Sequence, residues 1–428
     1  MKSPHKAALL RRAMAVAVAT LAAAAATTCP ATATTAGTGA TGAGTAHAET
    51  ARAKTTAATS RAETTVAQAI SGARGRPLTV RPLKGGAALP SAARTWSVTY
   101  VSEGATGTRI AVSGTVAVPK TTPPPGGWPV ISWAHGTTGT ADVCAPSRDD
   151  ENGLAHDYLS SMRPTLDAWV ARGFAVVQTD YEGLGTPGEH PYMNGRSAAN
   201  TVIDIVRAAR RVDHRVGRDW FVAGHSQGGH ATLFTAAASD AGKGLRLRGA
   251  VSIAPGGWGL SQLVPYAQHN LPVPVDVLAF LPTVVIGASA VEPAADPEEI
   301  LTDEMRPLLA AARTACVAQV RAVAASTPVG QVIRTGADTA PLTAYLRTQE
   351  PVGIRVKVPT LVAQGTHDAL APKQSTDLMV ADLCRQAPKI TYRIYDGADH
   401  RAAVPRSFDD ALAFVRTILA GQTPATTC

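Results

Sequence analysis

Two kinds of apolar pattern follow one another along the chain after residue 90. Residues 95–101 and 109–118 come first, and in the second segment apolar side chains alternate with polar ones, which is typical of an antiparallel strand with one wet face. Later runs are short and nearly continuous, as in strands covered on both faces. These runs are residues 130–134, 174–178, 220–223, 250–254 and 360–363. The last segment, 390–395, alternates again and predicts an edge strand.

Helical periodicity fills several intervals between these runs. The predicted helices cover residues 158–171, 198–212, 229–238, 375–383 and 408–419. Strands that alternate with helices through short loops indicate a parallel sheet with helices on both faces. We therefore predict an α/β fold with eight strands, mostly parallel, in which the first two strands form an antiparallel lead-in.

About 100 residues separate the sixth predicted strand from the seventh, which is too long for a structureless loop inside a compact domain. The interval contains a helical stretch over 298–324 and an apolar stretch, interrupted by prolines, over 263–286. We predict a helical cap or lid inserted over residues 256–357. The alternative is a spacer subdomain whose only role is packing.

The first 48 residues have the features of a cleaved export signal. Basic residues precede an apolar run over 13–26, and Ala31-Thr32-Ala33 and Ala46-His47-Ala48 both offer cleavage sites. The run is shorter than the roughly 18–20 residues that a membrane span needs. We therefore predict a signal peptide over 1–48, a flexible leader over 49–77, a main domain over 78–428 and secretion from the cell.

Composition and charge exclude several classes of protein. Charged residues make up 17% of the chain and hydrophobic residues 45%, so the chain is not of the acidic, disordered class. Signal cleavage removes Lys2, Lys6, Arg11 and Arg12, which lowers the formal charge from +8 to +4. The remaining basic residues are scattered and not interleaved with aromatic ones, so no nucleic-acid partner is expected.

Four cysteines remain after the predicted cleavage, and an even number in an exported chain predicts two disulfides. They are Cys144, Cys316, Cys384 and Cys428. The residues alone allow three pairings. No two cysteines have metal-ligand spacing and no H-E-x-x-H pattern occurs, so neither a metal nor another cofactor is expected.

The strongest chemical motif is G-x-S-x-G at residues 224–228, between the fifth predicted strand and a helix. A serine in this context lies on a tight, strained turn, and side chains at the flanking glycines would collide with neighbouring backbone. The turn presents the hydroxyl of Ser226 above the sheet. Ser226 is therefore the predicted nucleophile.

A serine hydroxyl needs an imidazole to take its proton and a carboxylate to orient that imidazole. Asp368 follows the seventh predicted strand and His400 follows the eighth, so both belong at the edge of the sheet where Ser226 lies. The order Ser, Asp, His along the chain is that of nucleophile-elbow hydrolases. Alternatives are Asp396 or Asp399 as the acid and His367, His225 or His230 as the base.

The negative charge that develops on a substrate carbonyl requires fixed N–H donors. The amide of Gln227, directly after the nucleophile, is the first predicted donor. The second belongs to the loop of residues 135–139, and we select Thr137, with Thr138 as the alternative.

These motifs together resemble the α/β-hydrolase superfamily over about residues 80–420. They are His135-Gly136, Asp180-Tyr181-Glu182-Gly183-Leu184-Gly185, Gly224 to Gly228, Asp368 and His400. With Cys144-Ala145-Pro146-Ser147 and the insert after Pro255, the chain is similar to the secretory lipase family, which has fungal lipase-A-type and actinobacterial secreted members. The fungal members carry an acidic residue around the loop where this chain has His-Gly-Thr-Thr-Gly.

The resemblance implies an α/β-hydrolase fold whose cap forms an apolar acyl tunnel opening at a lipid interface. It assigns the triad roles to Ser226, Asp368 and His400. It also implies the disulfides Cys144–Cys316 and Cys384–Cys428.

The resulting hypothesis is a secreted serine lipase or esterase that acts on a small-molecule or lipid ester, with acylglycerols as the expected substrates. A short-chain esterase is one alternative. Another is a secreted aminopeptidase, which needs a carboxylate in the cap to bind the substrate's amino terminus. The candidates are Glu298, Glu299, Asp303 and Glu304. The last alternative is a binding protein that retains the sheet without catalysis. The sequence does not indicate the oligomeric state.

Overall fold

The computed structural model describes residue 70 and residues 72–239, 244–269, 275–328 and 330–428. The predicted signal peptide and most of the predicted leader lie outside these residues. Within the described part of the chain, no helix combines the length and the apolar character needed to cross a membrane.

The strands of the described residues form one nine-stranded sheet, in the order β1-β2-β3-β5-β4-β6-β7-β8-β9. The strands are β1 (Pro77–Pro82), β2 (Ala92–Glu103), β3 (Arg109–Pro119), β4 (Trp128–Ala134), β5 (Ala175–Thr179), β6 (Val216–His225), β7 (Arg246–Ile253), β8 (Thr360–Gly365) and β9 (Ile390–Tyr395). The pairs β1–β2, β2–β3 and β3–β5 are antiparallel, whereas β5, β4, β6, β7, β8 and β9 run parallel to one another. The predicted mostly parallel sheet is confirmed.

The predicted number of eight strands is wrong, because β1 precedes the first strand that the apolar pattern identified. This strand begins and ends with proline, its last four residues are exposed, and its sequence PLTVRP has too few apolar positions to show alternation. It pairs with β2 at the edge of the sheet. The large insert therefore lies between β7 and β8, the seventh and eighth strands, and not between the sixth and seventh.

Two layers of helices cover the sheet, as predicted. The helices outside the insert are α1 (His156–Ala171), α2 (Gly195–Val212), α3 (Gln227–Ala237), α10 (Lys373–Gln386), α11 (Ala403–Arg406) and α12 (Phe408–Leu419). On one face, α2, α3 and α10 pack against strand residues such as Val130 and Val222. On the other, α1, α11 and α12 pack against the alternate residues Ile131 and Phe221. Burial on both faces explains the continuous apolar runs of the central strands.

The described residues of the insert form six α-helices, which share an apolar cluster with Tyr192 and Met193 from the loop after β5. They are α4 (Leu263–Gln268), α5 (Val275–Ser289), α6 (Pro297–Ile300), α7 (Arg306–Thr314), α8 (Val317–Ser326) and α9 (Ala340–Gln349). The stretch 298–324, predicted as helical, is divided among α6, α7 and α8. It is interrupted where Leu301 forms a β-bridge with Ile333 and where Cys316 adopts an extended conformation.

Among the described residues, two disulfides connect the insert and the C-terminal segment to the sheet domain, and they are the pairings that the resemblance implied. Cys144–Cys316 joins the start of α8 to the segment after β4, next to a bridge between Gly139 and Cys316 and a 2.8 Å hydrogen bond from Val317 N to the carbonyl of Thr138. Cys384–Cys428 joins the C-terminal segment to α10. The first crosslink therefore ties the insert to the loop predicted to bind the substrate carbonyl.

Removing the two disulfides separately should loosen different parts of the molecule. In Cys144→Ala/Cys316→Ala, the insert loses its covalent tie to the sheet domain, so limited proteolysis should cut first within the insert. In Cys384→Ala/Cys428→Ala, cleavage should begin in the C-terminal segment. Mass spectrometry of the early fragments distinguishes the two patterns, and identical patterns for both variants would contradict this division.

Candidate active site

Ser226 occupies the turn between β6 and α3, with a positive φ of 59° and a ψ of −114°, a backbone conformation that is rare for a residue with a side chain. Its N–H donates to the carbonyl of Ile253 on β7 at 2.9 Å, and its own carbonyl accepts from the amides of His230 and Gly256. Neighbouring backbone on two sides thus holds the strained turn in place.

The flanking glycines have the steric role that the motif predicts. A Cβ atom on Gly224 would overlap the carbonyl of Gly228, and one on Gly228 would overlap the carbonyl of Ala134 at the end of β4. Because all of these contacts are with backbone, they cannot be relieved by turning a side chain. The helix after the serine can approach β4 only without side chains at these positions.

Asp368 and His400 meet at the carboxyl ends of β8 and β9. His400 Nδ1 lies 2.8 Å from Asp368 Oδ2, and the Asp368 side chain has no exposed surface. The other oxygen of Asp368 accepts from the amides of Leu370 and Ala371, and the side chain of Gln364 donates to Oδ2. Four hydrogen bonds therefore fix the carboxylate that faces the imidazole.

The alternative residues have other partners. Asp396 accepts from the hydroxyl of Thr366, and Asp399 accepts from the amide of Ala402, so both carboxylates stabilise turns. His367 is exposed. His230 is buried and its Nε2 lies 2.7 Å from the carbonyl of Gln349. None of these side chains has a hydrogen bond to Ser226 or to the His400 ring among the contacts of the described residues.

Ser226 and His400 line one cavity of about 180 Å3, together with Thr137 and Gln227. Gln227 is the first residue of α3, so its N–H has no acceptor within that helix. The Thr137 hydroxyl lies 2.8 Å from the hydroxyl of Tyr192. The structure thus brings four of the predicted site residues to one cavity, with Asp368 directly behind His400.

The remainder of the cavity wall is largely apolar. The insert contributes Leu263, Val277, Phe280 and Val284, and Gly256, Gly257 and Gly259 follow β7. None of the described residues that line this cavity is acidic. The four carboxylates considered for binding an amino terminus do not line it. Apolar groups therefore fit this cavity better than a cation does.

Sequence reasoning did not select His190 and Tyr192, which support the site from the loop after β5. His190 Nε2 lies 3.1 Å from Nε2 of Gln227, and His190 Nδ1 lies 2.8 Å from the carbonyl of Glu182. A carbonyl only accepts a hydrogen bond, so Nδ1 of His190 carries the proton and its Nε2 accepts from the side-chain amide of Gln227. The only sequence signal for His190 and Tyr192 was their position shortly after the Asp180–Gly185 motif.

Four buried histidines surround the site in their neutral form. Burial lowers the pKa of His135, His190 and His230 to about 4, and it lowers the pKa of His225 well below the usual value. The pKa of a histidine in an unfolded chain is about 6.5. Between these values the unfolded chain binds more protons, so these groups stabilise the fold fully above about pH 6.5 and lose that contribution as the pH falls towards 4.

His230→Gln should reduce the acid sensitivity of the fold, because glutamine can donate to the carbonyl of Gln349 and does not titrate. As the pH falls from 6 to 5, the free energy of unfolding of the variant should rise relative to wild type by up to about 1.4 kcal/mol. Urea unfolding at several pH values measures this difference. A difference that does not change with pH would show that His230 titrates normally in the folded protein.

Residues 153–404, more than half of the chain, match the family model described as "Serine aminopeptidase, S33". No curated protein matches the chain.

Solved structures share the fold at low sequence identity. Candida antarctica lipase A is 19% identical with a TM-score of 0.70, and the match covers 84% of this chain and 85% of that one. The rice cell wall degrading esterase LipA from Xanthomonas oryzae is 19% identical with a TM-score of 0.63, covering 82% and 100%. The predicted α/β-hydrolase fold is confirmed, and the chain belongs to the serine aminopeptidase S33 family of α/β-hydrolases.

Proposed function

We propose that this protein is a secreted serine carboxylester hydrolase that cleaves acyl esters, with acylglycerols as its substrate class, through an acyl-enzyme on Ser226. The observation that carries the proposal is one apolar cavity lined by a serine on a strained turn and by a histidine that a buried carboxylate orients. This combination supplies a nucleophile, a base and room for an acyl group.

In this mechanism Ser226 Oγ attacks the acyl carbonyl while His400 Nε2 takes the hydroxyl proton. Asp368 accepts a hydrogen bond from Nδ1–H, which leaves Nε2 free to act as the base and stabilises the imidazolium. His400 then donates the proton to the departing alcohol. A water molecule, deprotonated by the same nitrogen, attacks the acyl-enzyme. The bond to Ser226 Oγ then breaks, His400 returns the proton to that oxygen, and the carboxylic acid is released.

The amides of Gln227 and Thr137 are the proposed donors to the oxyanion. Gln227 N–H lies at the start of α3, where an anion is also favoured by the helix dipole. The side-chain contacts of both residues, with His190 and with Tyr192, support this role because they limit movement of the two loops. Donors that are fixed before the reaction stabilise the transition state without reorganisation.

The cavity wall supports an apolar acyl group as the part of the substrate that is bound. Leu263, Val277, Phe280 and Val284 come from the insert, which in this proposal acts as the cap and meets the lipid interface. Burial of an acyl chain against such side chains gains about 0.8 kcal/mol for each methylene. Chain length should therefore contribute to substrate selection.

Two disulfides support the proposed location outside the cell, since such bonds persist in oxidising compartments.

A serine aminopeptidase is the second candidate, since the family description names that activity. It requires a carboxylate to bind the substrate's ammonium group. Glu298 pairs with Arg313, Asp303 pairs with Arg306 and Arg334, and Glu304 accepts from the amide of Gly330. Glu299 likewise does not line the cavity. These contacts favour the esterase; cleavage of aminoacyl p-nitroanilides without hydrolysis of esters would reverse the choice.

Labelling by a fluorophosphonate probe tests whether Ser226 is the nucleophile, and hydrolysis of p-nitrophenyl esters tests the role of Asp368. Wild type should be labelled at Ser226, and Ser226→Ala should not be labelled. Asp368→Asn should lower kcat for p-nitrophenyl esters by about 10⁴-fold, because the amide favours the wrong tautomer of the imidazole. The matched control is Asp399→Asn, which alters a carboxylate one residue from His400 and should stay within about threefold of wild type. Absence of labelling in folded wild type would exclude this mechanism.

Esters of increasing acyl length test the substrate class. Wild type should hydrolyse p-nitrophenyl octanoate and laurate faster than the acetate and should act on emulsified triglyceride. Val284→Trp fills the cavity and should shift the preference towards acetate, whereas Val352→Trp, at an exposed position, should not. Activity confined to acetate and butyrate would contradict the lipase assignment and leave a short-chain esterase.

A further inference from the structure

His225, the residue before the nucleophile, connects three loops of the site through hydrogen bonds. Its Nε2 lies 2.9 Å from the main-chain carbonyl of His400, and its Nδ1 lies 2.9 Å from the hydroxyl of Tyr158 on α1. The same hydroxyl accepts from the amide of Gly136, in the loop after β4, at 2.8 Å. The loops that carry the proposed oxyanion donor, nucleophile and base are therefore joined by one chain of hydrogen bonds.

The direction of each hydrogen bond in this chain follows from its two ends. The carbonyl of His400 can only accept, so Nε2 of His225 carries a proton. Burial, followed by the charge of His400, lowers the pKa of His225, so the ring is neutral and its Nδ1 accepts. Tyr158 therefore donates its proton to Nδ1, and its oxygen is free to accept from Gly136.

The space for this arrangement depends on the absence of a side chain at Gly136. A Cβ atom there would overlap the hydroxyl oxygen of Tyr158 and would lie 3.1 Å from Nδ1 of His225. Tyr158 and His225 are both buried, at 7% and 1% exposure. If a mutation removes one partner of these hydrogen bonds, bulk solvent therefore cannot directly satisfy the donor or acceptor that remains.

Neither Tyr158 nor His225 lines the cavity that contains Ser226. Their influence on a reaction there therefore passes through the backbone of Ser226, His400 and Gly136. It also passes through the His225 ring, which lies against the His400 ring with centroids 4.5 Å apart. Because β9 is an edge strand, the turn that carries His400 has a neighbouring strand on one side only. A tether from the nucleophile strand to this turn therefore restrains the ring position that proton transfer requires.

We propose that Tyr158 and His225 are positioning residues for ester hydrolysis, which fix the base and the oxyanion loop relative to the nucleophile through the chain Gly136–Tyr158–His225–His400. The inference rests on the proposed function for its kinetic consequences. The predicted dependence of the His400–Asp368 geometry on His225 can be tested without any substrate.

The first kinetic test compares Tyr158→Phe with Tyr100→Phe. Both remove one buried hydroxyl. The hydroxyl of Tyr100 contacts Thr179 and Thr201, which do not belong to the hydrogen-bond network of Tyr158 and His225. Tyr158→Phe should lower kcat for a p-nitrophenyl ester about tenfold, with KM within about twofold of wild type. Tyr100→Phe should keep the wild-type kcat. Equal losses in the two variants would overturn the proposal, because they would reflect general destabilisation.

The second kinetic test uses the chemistry of His225. His225→Leu removes both hydrogen bonds and should lower kcat about 100-fold, whereas His225→Gln retains a donor and an acceptor and should stay within about threefold of wild type. Because the hydrogen bond between Tyr158 and His225 is lost in either variant, Tyr158→Phe/His225→Leu should lose less than the product of the two single losses. Additive losses would overturn the coupling. If His225→Leu does not fold, the Tyr158→Phe comparison decides the question.

A spectroscopic test separates this inference from the proposed function. The Nδ1 proton between His400 and Asp368 should give a far-downfield proton NMR signal that is absent in Asp368→Asn. The signal should shift or broaden in Tyr158→Phe and be retained in Tyr100→Phe. If both the signal and kcat are unchanged in Tyr158→Phe, the inference is overturned. If wild type hydrolyses no ester but the signal shifts in Tyr158→Phe as predicted, only the proposed function is overturned.

Discussion

The strained backbone of Ser226 fixes the nucleophile, and the other groups of the site are placed relative to it. A serine with positive φ persists only where the surrounding structure determines it, and here the N–H of Ser226 donates to β7 and its carbonyl accepts from the segment after β7. The adjacent glycines allow α3 to lie against β4 without steric conflict. Sheet packing thus determines the position of one hydroxyl group, and the other residues are arranged around it.

The parallel arrangement of the strands brings the other site residues to the same edge of the sheet. Because β6, β7, β8 and β9 are parallel, their carboxyl ends form one edge, and the turns after β8 and β9 bring Asp368 to His400. Buried neutral histidines then connect the turns to one another without adding charge near the nucleophile. His190 supports Gln227, and His225 contacts the backbone of His400. The insert completes the site with an apolar wall.

The sequence predicted the sheet, its covering helices and the convergence at the site because those features repeat a local pattern. Buried parallel strands are continuous apolar runs, and the spacing G-x-S-x-G follows from steric contacts within a few residues. The strand β1 was missed because an exposed, proline-bounded edge strand has no such pattern. Tyr158 and His225 were not recognised as partners because residues 67 positions apart meet only through the fold.

The same limit applies to the oxyanion loop and the insert. The positions of Thr137 and Tyr192 depend on two separate loops, and the division of residues 298–324 into three helices depends on a disulfide and a β-bridge to distant residues. A crystal structure of the protein inhibited by a phosphonate ester would show whether the nucleophile, the base and the oxyanion donors act together. Phosphorus should be bonded to Ser226 Oγ, its oxygen should lie within hydrogen-bond distance of the main-chain amides of Gln227 and Thr137, and Nε2 of His400 should face the leaving-group position. A phosphonate on another residue, or an imidazole turned away from Ser226, would rule out this catalytic arrangement.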